Sequence, residues 1–303
     1  MSDAAHIETD KRLAAMERKL RGIYMRAKKE ISDAWNLYME DVSGEIEEMQ
    51  RDYDDAKRSG DRKEIKKTGK ALEKKKRERT IMDKRYKDVV ERTVQELSNV
   101  NAIATAYING QLPPVYALNY NHVAKALDSA VRGYSFNLLN PNAVRLMIKR
   151  DEVTLPERKL DVAKDKRWNM RKINAEVTQG IIQGESMPHI AERLTKVQTM
   201  NMDSAIRAAR TIVTGTENQG RMDMLREAED MGIILKKRWI STHDVRTRDW
   251  HTELDGQLKN IDEPFVNAAG RIMYPGDPSA SAENIYNCRC TIGYEVEGFS
   301  NGK

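Results

Sequence analysis

The chain has 303 residues, 39% hydrophobic and 33% charged, with a net charge of +5 and a pI near 9.0. That length accommodates two domains and at least one real core, and the absence of any run of about 18 apolar residues excludes a hydrophobic membrane span. Its two cysteines, Cys288 and Cys290, exclude a disulfide framework: a bridge across i, i+2 would be strained, so they are expected as thiols or ligands in a reducing compartment.

The N-terminus, M-S-D-A-A-H-I-E-T-D, lacks a basic region followed by an apolar one, so the chain is expected to be made and at first kept in the cytosol. From Leu13 apolar residues recur at steps of three and four through Met16, Leu20, Ile23, Ala27, Ile31, Trp35, Tyr38, Val42, Ile46, Met49 and Tyr53. This predicts an amphipathic helix, with a break allowed at Gly44. Ser59-Gly60-Asp61 reads as a turn, after which the same step resumes from Ile65 to Val100. Residues 1–108 are therefore read as a long helical hairpin or arm.

Between Arg51 and Arg92 there are 17 Lys and Arg against 10 Asp and Glu, which leaves the rest of the chain at −2. Basic character thus belongs to one segment. Between Leu72 and Ile81 the apolar stripe lapses into E-K-K-K-R-E-R-T, and a helix without an apolar face is not held by a core. Glu73 to Thr80 is expected to project into solvent or lie on a partner, with Lys74, Lys75, Lys76 and Arg77 as the contacts for DNA or protein. A solvated arm is preferred to direct nucleic-acid binding, because acids are interspersed and no aromatic residue offers a stacking surface. The arm is expected to be mobile when free.

N-G-Q-L-P-P at Asn109 to Pro114 is expected to end the hairpin, and residues 109–164 to form a connector: a helix from about Tyr116 to Leu139 stopped by Asn140-Pro141, then irregular chain. Next come two helices separated by a Gly184 exit and a Ser186 cap with Pro188 in the first turn, and a further helix from about Met202 to Met231 closed by Gly232. Strand character begins only there. I-I-L-K-K-R-W-I-S and T-I-G-Y-E-V bracket a Gly/Pro/Asn/Asp-rich middle. The predicted fold class is mainly α with a C-terminal α+β domain over 165–298 and a short tail, 299–303.

Chemistry-bearing residues crowd into W-I-S-T-H-D-V-R-T-R-D-W-H, Trp239 to His251, and Y-N-C-R-C, Tyr286 to Cys290. His251, Cys288 and Cys290, with His243 as a fourth, have ligand types suited to zinc. The spacing argues against it, since C-x-C is tighter than the usual zinc pair and H-x7-H matches no common helical pair. Packed thiols beside the final strand are the preferred reading, and no cofactor is expected, with zinc kept as the alternative. A Cys/His/Asp nucleophilic site lacks any supporting signature: there is no phosphate loop, G-x-G-x-x-G, H-E-x-x-H or G-x-S-x-G. Asp244 is expected to accept turn N–H groups, while Arg246 or Arg248 forks onto Glu217 or Asp255.

Taken in order, A-A-R-T-I-V-T-G-T-E-N-Q-G-R, K-R-W-I-S-T-H-D-V-R-T-R-D-W-H-T-E-L-D-G-Q, F-V-N, Y-P-G-D-P and Y-N-C-R-C-T resemble the Mu F-like head morphogenesis family of tailed bacteriophages, the minor head or minor capsid proteins. The resemblance covers roughly Lys166 to Glu297, five ordered blocks being more specific than any one motif. It places Arg210, Thr211 and Glu217 in the helical block, Asp244, Arg246, Thr247, Arg248 and His251 in the central one, Asp255 and Gly256 after it, and Asn287, Cys288, Arg289 and Cys290 at the end. It implies a non-enzymatic, low-copy virion protein inside the head at the portal vertex, assembled in the host cytoplasm and acting in procapsid assembly and DNA packaging or delivery. The implied partners are portal protein, scaffold, major capsid protein and packaged DNA. The resemblance also implies that in some relatives the domain is fused to a toxin such as an ADP-ribosyltransferase; with the sequence ending at Lys303, no such fusion is expected here. The rival reading is a DNA-processing or toxin-like enzyme built on the His/Asp/Cys cluster.

Overall fold

The computed structural model describes residues 3–78, 84–183, 185 and 187–300. It is mainly helical with a small antiparallel sheet region near the C-terminus: α1 Ala4–Ser59, α2 Arg62–Glu78, α3 Lys84–Ala130, α4 Pro141–Lys149, α5 Val162–Ile182, α6 Met187–Asp230, β1 Ile233–Ile240, α7 Asp249–Thr252, β2 Leu258–Asn260, β3 Phe265–Asn267, β4 Gly270–Ile272, α8 Ala282–Ile285 and β5 Thr291–Phe299. Predicted class and observed class agree, because both helical periodicity and strand alternation are local properties of the chain.

Helix boundaries differ where burial overrides local punctuation. Gly44 does not interrupt α1, since one helical glycine costs only about 1 kcal/mol relative to alanine. Pro113 and Pro114 lie inside α3 rather than ending it. Each removes a helical N–H at a cost of about 3 kcal/mol, but Leu112, Val115 and Tyr116 around them are fully buried, and that burial offsets the loss. Asn140-Pro141 starts a helix instead of stopping one. Asn140 Oδ1 accepts the N–H groups of Asn142 and Ala143 at 2.9 and 3.0 Å, with Pro141 in the first turn, so the stretch from 141 is helical before it becomes irregular. The two helices expected after residue 186 are one, α6, which carries no Gly or Pro between Pro188 and Gly215 to divide it. Gly232, at φ +93°, follows its end. The Gly184 exit and the Ser186 cap lie outside the described residues.

The chain divides into two compact units that interleave along the sequence. One contains Arg21–Ile103 and Leu160–Asp203. Its core packs Ile31 and Trp35 of α1 and Val89, Val90, Val94 and Leu97 of α3 against Ile173 and Val177 of α5 and Ile190, Leu194 and Val197 of α6. Trp35 Nε1 donates to Thr93 Oγ1 at 2.8 Å, and Trp35 meets the rings of Tyr38 and Tyr86 edge-on. A buried polar layer crosses all four helices. Asn101 receives the Tyr24 hydroxyl and donates to Asp165 Oδ1 at 2.8 Å and Asn201 Oδ1 at 2.7 Å, while Asn201 donates to Asn169 at 2.9 Å.

The hairpin is therefore not a free arm along its whole length. Its distal part is thinner: α2 returns along α1, Gly69 lies against the Tyr53 ring, and Lys75 and Arg85 both pair with Glu45 at 2.6 and 2.8 Å. Lys74 is exposed, and Lys75 is held by Glu45. The side chains of Lys76 and Arg77, and all of residues 79–83, lie outside the described residues.

The other unit contains the chain up to Leu20, Ala104–Lys159 and the chain from Ser204 onward. Here β1 is central in a three-stranded antiparallel sheet, order β2-β1-β5, with Trp239 opposite Ile292 and Ile240 opposite Thr291. A β-bulge falls between Ile234 and Leu235. The separate hairpin β3-β4 turns between Asn267 and Gly270.

Candidate functional site

The site is organised by the buried face of α6. Thr214, Glu217, Asn218 and Arg221 recur at helical steps on that face and are buried, where unpaired polar groups are costly; each has partners on the C-terminal segment or the first residues of the chain. Asn218 is the hub. Its Oδ1 accepts Ile292 N–H at 2.9 Å and Thr291 Oγ1 at 3.1 Å, and its Nδ2 donates to Pro275 O at 3.1 Å and Cys290 O at 3.4 Å. Glu217 accepts Thr291 Oγ1 at 2.9 Å and lies 2.7 Å from His6 Nδ1. Arg221, 1% exposed, forks onto Asp3 at 2.6 and 2.8 Å and donates to Ile292 O and Asn119 Oδ1 at 3.1 Å each.

The N-C-R-C segment enters this frame through a left-handed residue, Asn287 at φ 53°, whose N–H donates to Thr211 Oγ1 at 3.2 Å; asparagine tolerates that region better than most residues. Extended chain follows. Successive side chains then alternate, so Cys288 and Cys290 face the core while Arg289 faces outward. All three carbonyls are taken: Cys288 O by Thr214 Oγ1 at 2.8 Å, Arg289 O by Thr242 Oγ1 at 2.7 Å, and Cys290 O by Asn218.

The central block pairs differently from the expectation. The arginine fork onto Asp244 comes from Arg289, two bonds of 2.6 Å, and it holds the Asp244 carboxyl well below the usual carboxylate range. Among the described residues, neither Arg246 nor Arg248 pairs with Glu217 or Asp255. Arg246 approaches Asp244 at 3.7 Å and donates its backbone N–H to it at 3.0 Å, while Arg248 donates to Tyr286 O. Thr247 Oγ1 donates to Thr242 O. Asp255 accepts Ser241 N–H at 2.7 Å and lies 3.3 Å from His243, and Gly256, at φ 76°, returns its N–H to Trp239 O at 2.9 Å. Arg210 forks onto Glu17 of α1 at 2.6 and 2.9 Å.

His251, Cys288 and Cys290 come together; His243, 70% exposed in its side chain, does not join them. The three are 1%, 2% and 2% exposed, packed with Trp239, Leu254, Phe265 and Ile272. His251 Nδ1 lies 3.7 Å from each sulfur, and Nε2 lies 3.3 Å from Asn284 Oδ1. Asn284 Oδ1 also receives Asn267 Nδ2 at 3.0 Å, which marks it as an acceptor and makes Nε2 the protonated nitrogen. The Nδ1 lone pair then faces the two sulfurs. A hydrogen bond from Cys288, opposed by burial and aided by His251, pulls the Cys290 thiol down, and the same hydrogen bond pushes Cys288 up. Asn284 rather than a carboxylate orients His251, an order of groups that Cys–His–Asn sites also use, but His251, both cysteines and Asn284 are all buried, which closes the sulfurs to a polymeric substrate.

Sequence reasoning missed Asn218, Arg221, Thr214 and Asn284. The spacing of Thr214, Glu217, Asn218 and Arg221 was itself a signal: polar residues repeat on a helical face flanked by apolar ones.

His6 carries a pH dependence. Burial alone would lower its pKa, but the hydrogen bond and charge of Glu217 outweigh it and raise the pKa above 6.5. The pair's contribution is fully present below the unfolded value and is lost as pH rises through the raised folded value. Replacing His6 with glutamine is expected to lower Tm most near pH 6 and progressively less above it; equal losses across thermal melts from pH 6 to 9 would contradict this.

The geometry defines a small α+β domain whose last strand is gripped by the polar face of a long helix, with a closed His/Cys/Cys cluster beside it. Residues 171–293 match the family model described as Phage Mu protein F like protein. The chain is 30% identical over 122 residues to minor head protein GP7 of Bacillus phage SPP1, covering 40% of this chain and 39% of that one. It is 31% identical over 130 residues to NAD(+)--arginine ADP-ribosyltransferase EFV of Enterococcus faecalis (strain ATCC 700802 / V583), covering 43% of this chain and 26% of that one. The matched regions thus span well under half of either relative. No solved structure matches significantly. Residues 171–293 thus match the Mu F-like family, and this part of the chain is similar to a phage minor head protein.

Proposed function

We propose that this protein is a non-enzymatic, low-copy virion component of the head interior at the portal vertex, acting in procapsid assembly and in DNA packaging or delivery. The observation that carries the reading is the Mu F-like segment at 171–293, with its similarity to a phage minor head protein. The closed site supports it: His251, Cys288 and Cys290 are within the core, where a polymeric substrate has no access, and Asp244 and Asp255 are committed to Arg289, Ser241 and His243. Portal, scaffold and capsid proteins are the proposed partners.

Coexpression with the portal, scaffold and major capsid proteins of the same genome tests this. Cosedimentation with procapsids, at far fewer copies than the capsid protein, is expected. Its absence, or ADP-ribose transfer from NAD to arginine by the purified chain, would overturn the reading.

The distal hairpin is the proposed contact for packaged DNA. Reversing Lys74, Lys75, Lys76 and Arg77 to glutamate is expected to abolish binding that is independent of base sequence. Each phosphate neutralised contributes a slope of about −0.9 in log K against log salt, so a titration measures how many the wild type covers. Wild-type chain that shows no binding at low salt would leave these charges as a solvated face.

A further inference from the structure

We propose that His251, Cys288 and Cys290 form a zinc site that locks the end of the Mu F-like segment to the α7 turn. Tetrahedral zinc with Zn–S near 2.3 Å and Zn–N near 2.0–2.1 Å places nitrogen and sulfur roughly 3.6 Å apart. Both observed Nδ1···Sγ separations are 3.7 Å. A thiol hydrogen bond would draw one sulfur toward the single Nδ1 lone pair and leave the other; a shared metal requires both at the same distance.

The surroundings are those of a ligand set held in place from outside. Asn284, fully buried, fixes the tautomer and ring orientation of His251 through Nε2 and is itself held by Asn267. The carbonyls flanking the sulfurs are pinned by Thr214, Thr242 and Asn218. The short C-x-C spacing is no obstacle, because in extended chain i and i+2 face the same side. Borderline-soft thiolate and imidazole ligands favour zinc over magnesium or calcium. Three protein ligands leave one tetrahedral position for a water molecule, with Ser241 Oγ nearby at 4.0 Å from Cys290 Sγ.

His251 and the two cysteines are 37 and 39 residues apart, so the unfolded chain has no preformed site and metal binding contributes to folding directly. The full chain, purified from zinc-supplemented cells and desalted, is expected to hold about one zinc per chain, and a chelator should lower its Tm. Cobalt(II) exchanged into it should show tetrahedral d–d bands and thiolate charge transfer. A Cys288→Ser/Cys290→Ser double variant should lose the zinc. Because that variant risks misfolding, Asn284→Ala provides a second reading, with zinc affinity about 10- to 100-fold weaker. Folded wild-type chain with little zinc and no tetrahedral cobalt spectrum would overturn the proposal, as would zinc retained by the double cysteine variant. None of these readouts depends on the proposed role in the phage head.

Discussion

Replacing Arg221 with leucine is expected to destabilise the chain by about 3–5 kcal/mol, the usual cost of breaking a buried charge network by removing one partner. Leucine keeps much of the apolar volume, so the loss reports the polar network more than a cavity. Asp3 loses both bonds of its fork, Asn119 Oδ1 and Ile292 O each lose a donor, and Glu217 loses a positive neighbour at 3.5 Å. Lysine should recover little, because a single ammonium cannot reproduce the planar fork. Asp3, 28% exposed in its side chain, has water as a substitute partner, so Asp3→Asn should cost less than Arg221→Leu. Urea unfolding decides it: a loss below 1 kcal/mol for Arg221→Leu would mean that the network contributes little beyond packing.

Gly215→Ala should also destabilise, against the sign that helix propensity alone assigns. In an open helix glycine to alanine gains about 1 kcal/mol. At Gly215, however, an added Cβ would lie 2.5 Å from the carbonyl oxygen of Gly276, itself at φ +79°. Both contacting groups are backbone, so relief requires moving α6 away from the loop before Asp277, and overpacking of this kind costs about 1–3 kcal/mol. Gly22→Ala is the internal control, since nothing lies within 4 Å of its Cβ position in α1; it should stabilise by about 0.5–1 kcal/mol. If both substitutions stabilise alike in denaturant titrations, the close approach does not constrain the fold.

The legible parts of this protein are those written in neighbouring residues. Apolar steps from Leu13 to Tyr53 specify α1, and the alternation of I-I-L-K-K-R-W-I specifies β1, because each pattern matches one backbone period. Punctuation was less dependable. Pro113-Pro114 and Asn140-Pro141 use the same residue type, yet one pair is carried within a helix and the other begins one. What separates them is the burial around α3 and the cap offered by Asn140, and only the second is a local feature.

The candidate site divides the same way. Its residue types were visible in two short clusters, but C-x-C spacing argued for packed thiols, because spacing rules are built on ligands that share a local turn. Whether His251 meets the cysteines depends on chain separated from them by more than thirty residues. The α6 polar face is a similar case: its period is local, but its partners, Asp3, His6, Asn119 and Ile292, are far along the chain.

By itself the amino-acid sequence determined the fold class, the first long helix, strands β1 and β5 and the match of the C-terminal part to the Mu F-like family, because periodicity and ordered motifs do not depend on how distant segments pack. Only the tertiary structure decided that Arg289 rather than Arg246 or Arg248 forks onto Asp244, that His243 stands apart from His251, and that two cysteines and a histidine share one buried space. Those outcomes rest on long-range closure: which of several chemically equivalent groups meet is set by where the helices and the sheet bring the backbone, a choice that residue identity leaves open.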